Sequence, residues 1–267
     1  MNSPKKIRRL ILSIALAAPM LAQAQAPAPA ATDDWNVILG IGAIWRPKYP
    51  GADSNEVDPA PFILATHGRW LLGAAPGTGL PFGVAYHLVQ TPAFKMGIGV
   101  GDTFVKAREE SDDPGLAGLG DIDGTAKAAA FASYTYKWLT LRGAVTTDVG
   151  GNDQGTQAFV DLDGRFQVTS RLSISGGPGL TWSDGKYSQT FFGIDGDQSR
   201  RSGRAEYKAG SGLSAVRLTL GADYALTTNW NLGTRIVFTK LQGDAADSPI
   251  TRDDVQSSGT VFVTYRF

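Results

Sequence analysis

The groups able to do covalent or coordination chemistry in this 267-residue chain are few and scattered. Two histidines, His67 and His87, are present, and cysteine is absent. Without cysteine there is no thiol nucleophile, disulfide framework, thiolate metal site or lipid-modified cysteine. A histidine paired with an aspartate or serine would suit a hydrolase. By the parity of the connections described below, His67 falls in a tight turn and His87 near the turn end of its segment, away from the long loops where a surface-facing site would lie, so both are read as non-catalytic. Carboxylates gather in "REESDDPGLAGLGDID" (108–123) and "GDAADSPITRDD" (243–254). Asp121 with Asp123, or Asp244 with Asp247, has the donor type a divalent cation needs. Neither pair has EF-hand spacing, and Asp, Gly and Pro are the usual residues of turns; no metal and no cofactor are expected. "RRSGR" (Arg200, Arg201, Arg204) has the forked donors that suit phosphate groups. "GLGDIDG" lacks the strand-to-helix context of a phosphate loop. A third set is Lys95, Lys127, Arg142, Asp161, Asp163, Arg165, Arg217, Asp223 and Arg235, each alternating with apolar neighbours. What these charges do depends on the elements that hold them.

Lys5, Lys6, Arg8 and Arg9 precede the apolar run "LILSIALAAPML" and the small-residue site Ala22-Gln23-Ala24. That is the pattern of an export signal over residues 1–24. "QAPAPAATDD" (25–34) then reads as a flexible leader, and 35–267 as one domain. Loss of residues 1–24 removes four basic and no acidic side chains, taking the net charge from zero to −4. A mildly acidic exported chain is not a nucleic-acid binder. No run of 18 apolar residues follows the leader, so no membrane helix is expected.

Period-2 alternation recurs instead, over 35–45, 79–89, 94–104, 156–168, 171–182, 213–226, 229–240 and 255–267, and more weakly over 58–66, 69–75, 125–136 and 139–149. Segment 79–89 aligns Leu80, Phe82, Val84, Tyr86 and Leu88 on one face. These twelve segments, or ten if boundaries within 58–75 shift, exceed the roughly five or six residues of an ordinary strand. They match the roughly 9–11 residues a tilted strand needs to cross a bilayer. No helix is expected after residue 34. Aromatic residues sit at the segment ends: Trp35, Trp45, Tyr86, Tyr134, Tyr136, Trp182, Tyr224, Trp230 and Tyr265. Every second connection is tight, and the long ones (46–57, 105–124, 183–212, 241–254) share the other end. Short periplasmic turns and long outer loops are what a bacterial transmembrane antiparallel up-and-down β-barrel requires. A soluble sandwich or lipocalin-like barrel is the alternative. In a membrane barrel the nine alternating charges must point inward, since Arg or Lys on the lipid face costs roughly 2–4 kcal/mol at the midplane. They then form either a polar solute pathway or a salt-bridged filling. Arg200, Arg201 and Arg204 would lie in an outer loop, where lipopolysaccharide phosphates are a partner. The chain ends "GTVFVTYRF", alternating to its last residue, as a closing strand would.

"PKYPGAD" (47–53), "GLGDID" (118–123), "TFFGID" (190–195), "QSRRSGRAEYKAGSGL" (198–213), "LQGDAADSPI" (241–250) and the terminal "YRF" occur in this order. Together they resemble the MipA/OmpV family of outer-membrane proteins, over nearly the whole exported chain. The residues carrying the likeness are Gly118, Gly120, Asp121, Asp123, Gly243, Asp244, Asp247, Ser248 and Pro249. The resemblance implies a Gram-negative outer-membrane barrel and no catalytic residues. It further implies a scaffold joining a murein transglycosylase to a penicillin-binding protein in peptidoglycan synthesis; other members are linked to osmotic response, uptake or adhesion. A porin-like channel for small polar solutes is the second expectation. Tyr265 and Phe267 resemble the terminal signal that barrel-assembly machinery reads.

Overall fold

The structure is a computed structural model describing residues 34–74, 77–102 and 106–267; the expected signal (1–24) and all of the leader except Asp34 lie outside these. Twelve strands follow in order: β1 (Asn36–Pro47), β2 (Asn55–His67), β3 (Trp70–Gly73), β4 (Gly83–Gln90), β5 (Phe94–Asp102), β6 (Ala126–Tyr136), β7 (Leu139–Asp148), β8 (Thr156–Gln167), β9 (Leu172–Ser183), β10 (Gly212–Ala225), β11 (Trp230–Leu241) and β12 (Val255–Arg266). Each pairs antiparallel with the next, and β12 pairs with β1 to close the barrel. The seam runs from Ile38↔Arg266 to Trp45↔Gly259. Phe267 N–H donates to the Val37 carbonyl at 3.0 Å. The apolar residues of this last segment are therefore themselves wall.

Alternation decides which face each side chain takes. Ile41, Val57, Ile98, Val100, Val160, Leu220, Phe238 and Val261 project outward and are exposed. Gly97, Phe131, Ala144, Thr181, Gln256 and Thr264 face inward and are buried. This is the inverse of a soluble barrel, and so extended an apolar exterior is stable only against lipid. That excludes the soluble alternative. At the end carrying the tight turns, Trp70 and Tyr86 pack at a tilt with ring centroids 4.8 Å apart, Trp138 and Phe166 likewise at 4.9 Å, and Trp230 and Tyr265 edge-on at 5.0 Å. These pairs form the girdle at the water–lipid boundary.

The tight turns are 68–69, 91–93, 137–138, 168–171 and 226–229, with the start of β1 and the end of β12 on their side. Three expectations are corrected. The segment expected over 69–75 is a strand only for its first four residues from Trp70. β4 begins at Gly83, and Leu80 is buried rather than lined up with the exposed Phe82, Val84 and Leu88. The connection between β3 and β4 is thus longer than the 76–78 expected. Finally, the loop after β9 contains helices α1 (Gly185–Phe192) and α2 (Gly196–Ser202). Local capping explains them: Asp184 accepts from Tyr187 N–H, and Asp195 and Gln198 form a reciprocal capping box. Each is too short to have shown as periodicity.

Candidate functional site: the lumen and its outer lid

The wall from β7 to β11 carries a ladder of charges on its inner face. Near the turn end, Asp223 lies 3.4 Å from Arg165 and 3.8 Å from Arg235. Arg165 also donates to Ser173 Oγ at 2.9 Å and Arg235 to Ser175 Oγ at 3.0 Å. Above them Arg142 meets Asp163 at 3.2 Å, and Arg217 meets Asp161 at 2.8 Å. The last pair reaches across β9, where Gly179 is in register with both Asp161 and Arg217. A Cβ on Gly179 would stand 2.1 Å from Asp161 Oδ1. The missing side chain lets the ion pair lie flat on the wall instead of filling the lumen. Each such partly solvated pair contributes about 0–1 kcal/mol, so the ladder is worth more as a polar lining than as a stabiliser.

An apolar stretch faces this ladder. Phe62 and Phe262 stack at 6.0 Å over the inward glycines of β1. Ala85, Phe131 and Ala144 form a buried cluster joined by Leu71 and Phe159. Against this cluster lies the chain that leaves β3. Residues 77–80 turn into the barrel: the Cβ position of Gly77 is 3.1 Å from Arg142 Cδ, and that of Gly79 is 2.7 Å from Thr146. Leu80 rests on β5, 3.1 Å from the Cβ position of Gly99. Thr78 and Leu80 are buried there, and Leu80 N–H donates to Thr78 Oγ1 at 3.2 Å. A segment from one wall thus reaches the other and narrows the lumen beside Arg142.

At the outer end a cavity of about 380 Å³ opens inside the barrel mouth, lined by Arg46, Lys127, Gln154, Tyr187, Phe191 and Gln256 among others. Over it the long loops pack into a lid with its own core. Phe191, Phe192, Ile122 and Ala245 meet in one cluster; Tyr49, Leu116, Leu119, Ile194 and Ile250 meet in a second. The residues of the sequence motifs stitch it together. Ser248 Oγ donates to the Phe192 carbonyl at 2.6 Å, and Gly210 N–H donates to Asp244 Oδ2 at 2.6 Å. Arg201 Nε donates to the Gly118 carbonyl at 3.1 Å, and Arg204 Nη1 to the Pro249 carbonyl at 3.0 Å. Asp121 accepts from Lys106 Nζ at 2.7 Å and from Glu110 N–H at 2.9 Å. Gly120 N–H donates to Glu110 Oε1 at 2.6 Å, the Asp123 carbonyl accepts from Gln154, and Asp247 N–H donates to the Gly243 carbonyl at 3.0 Å. Lys106 holds the Asp121 carboxyl below its usual range. Burial pushes the Arg108 guanidinium down and the Tyr49 phenol up.

A single family model, described as MltA-interacting protein MipA, matches residues 39–267, which include both the barrel and the stitched lid. The chain belongs to the MipA family. Among similar members and relatives, the MltA-interacting protein of Escherichia coli K12 is 24% identical over 234 residues, 85% of this chain and 88% of that one. The YiaT protein of the same organism is 26% identical over 158 residues, 59% of this chain. The chain thus spans 63% of that relative's length. Solved barrels of similar shape include the NanC porin (10% identity, TM-score 0.44, covering 86% of this chain and 100% of that one) and Pseudomonas putida OprB (10%, 0.44, 88% and 94%).

The other singled-out residues of this MipA-family chain find different places. His67 stacks on Trp35 at 4.9 Å beside a turn, and His87 sits edge-on to Phe131 at 5.7 Å on an inward face. Lys95 is on β5 two positions before Gly97, and Lys127 lines the outer cavity. Arg200 pairs with Asp197, so all three arginines of "RRSGR" have partners within the lid. Among the described residues no three His, Asp or Glu side chains gather as a metal site. Tyr265 and Phe267 stack edge-on at 4.8 Å on the outer face of the seam. An inward triad was missed in the sequence: Arg46 lies 2.7 Å from Glu56 and 3.0 Å from Asp58. Its signal was the parity of β1, since Arg46 continues the inward series of Gly40, Gly42 and Ile44.

Proposed function

We propose that the barrel is a non-enzymatic conduit for small polar solutes. The ladder from Arg165, Asp223 and Arg235 up to Arg217 and Asp161, continued by the Arg46 triad at the outer cavity, carries this reading. Opposite charges alternate along it, so a solute bearing either sign, or both, finds successive partners without a deep trap. Residues 77–80 narrow the lumen beside Arg142, and the lid sets what reaches them.

A second reading rests on the family: a scaffold for a murein transglycosylase and a penicillin-binding protein, as the relative's name MltA-interacting protein suggests for that relative. Its contact surface would be the turn end of the barrel and residues 25–34. Turns of two to four residues offer little of the ~800 Å² per partner that stable interfaces bury. Neither reading requires catalysis. Purified full-length protein in planar bilayers separates the two. Stepwise conductance altered by Arg142→Ala is the expected result. Electrically silent bilayers, together with capture of a murein hydrolase that is lost on altering residues 25–34, would replace the conduit with the scaffold.

A further inference from the structure

The barrel wall is not equally tall all round. β3 has four residues against thirteen in its neighbour β2. At about 3.3 Å per residue such a strand cannot cross a bilayer, which takes roughly 9–11. β2 is paired on its β3 side only from Leu64↔Gly73 to His67↔Trp70. Among the described residues no strand pairs with that edge over 55–63. Past Ala74, the next described stretch of chain, 77–80, lies inside the lumen rather than in the wall.

The free edge has an unusual make-up. Residues whose hydrogen-bonding groups face β3 can be identified because the Ile63 carbonyl accepts from Ala74 N–H at 2.8 Å. In a ladder the N–H and C=O of one residue point the same way, and alternate residues point oppositely. Pro59 and Pro61 share the parity of Ile63, so both prolines fall on the open edge. A proline in a strand interior is tolerated only where no partner needs its N–H. The two remove consecutive donors from this edge and leave their carbonyls, an acceptor-only margin. Such a margin blocks addition of a strand from another protein or a second copy. It also cannot face dry hydrocarbon, where unsatisfied backbone groups are costly except beside a wet cavity.

We infer that the outer half of the wall between β2 and the tops of β4 and β5 is a lateral window between the lumen and the surrounding lipid, and that it admits amphipathic molecules bearing an alkyl or aryl tail and a hydrogen-bond-donating head. The tail is matched by exposed Val57 and Ile63 outside, and by Phe62 and Leu64 on the inward positions of the same strand. Beyond them stand Leu71 and the Ala85–Phe131 cluster. The head is matched by the Pro59 and Pro61 carbonyls. The window goes beyond the conduit reading and stands whether or not the lumen conducts.

The chain has no cysteine, so single cysteines can carry a bimane fluorophore without background. Labels go on Phe62→Cys and Leu64→Cys (lumen side of the window), Ile63→Cys (lipid side) and Thr219→Cys (lumen side of the tall wall), each checked for folding by its heat-modifiable gel shift. The protein is placed in vesicles of phosphatidylethanolamine carrying brominated acyl chains, or in unbrominated vesicles with an added bromoalkylammonium amphiphile. Quenching at Phe62→Cys or Leu64→Cys close to that at Ile63→Cys, and severalfold above Thr219→Cys, is expected. Quenching by brominated lipid assigns the tail to membrane lipid; quenching by the added amphiphile alone assigns it to a free amphiphile. Lumen-side labels quenched no more than Thr219→Cys under both conditions would overturn the window.

Discussion

The two sides of this barrel solve the same problem differently. From β7 to β11 the strands run ten to fourteen residues, pair along their lengths, and hold opposite charges flat against small inward residues. From β3 to β5 they run four to nine, the inward face is glycine-rich, and part of the chain folds across the interior. Wall height and lumen chemistry therefore vary together. Where backbone hydrogen bonding is complete, the inner face is polar and the outer apolar. Where strands stop short, apolar side chains line both faces and prolines occupy the edge.

Three substitutions would break or sharpen this contrast. The largest effect is expected from Leu80→Ala, which removes the buried anchor of the inward segment at about 2–5 kcal/mol, the usual cost of a large-to-small core change. Amide hydrogen exchange should quicken at 77–80 and stay unchanged in β9 and β10; equal quickening in both walls would mean the segment is not an independent unit. Next is Gly179→Leu, whose side chain collides with Asp161 and costs about 1–3 kcal/mol as an overpacked site. Urea unfolding of the reconstituted barrel should show a lower midpoint, and an unchanged one would mean that the ladder does not lie flat. The smallest is Asp223→Asn, which leaves Arg165 and Arg235 without their shared carboxylate. Stability should move by less than about 1 kcal/mol, while the reversal potential in a salt gradient shifts toward anions. No shift would mean the ladder is filling rather than pathway.

Alternation and connection parity made twelve strands legible, because each strand's two faces meet opposite media and every residue repeats that message. The expectation that strand charges point inward has the same source: lipid leaves no other place for them. The weakest segments, 58–66 and 69–75, were weak because the wall there is incomplete, so they lacked the long two-faced pattern. Leu80 misled because an apolar residue packing against an apolar lumen has the same spacing as one facing lipid. The prolines at 59 and 61 held the missing information; two in alternate positions of one strand state that one edge has no neighbour. The lid was opaque, since its contacts join loops about 40 to 140 residues apart, and no local period records such meetings.

The shared core of the lid has a consequence for what other organisms see. Tyr49, Leu116, Ile194 and Ile250 come from four separate loops yet bury one another, so the exterior these loops present is one conformational epitope. A peptide copied from any one loop lacks the three that shape it and would not elicit antibodies against the intact surface. Escape from a phage or an antibody would likewise require matched changes in several loops, which ties the drift of each to the others.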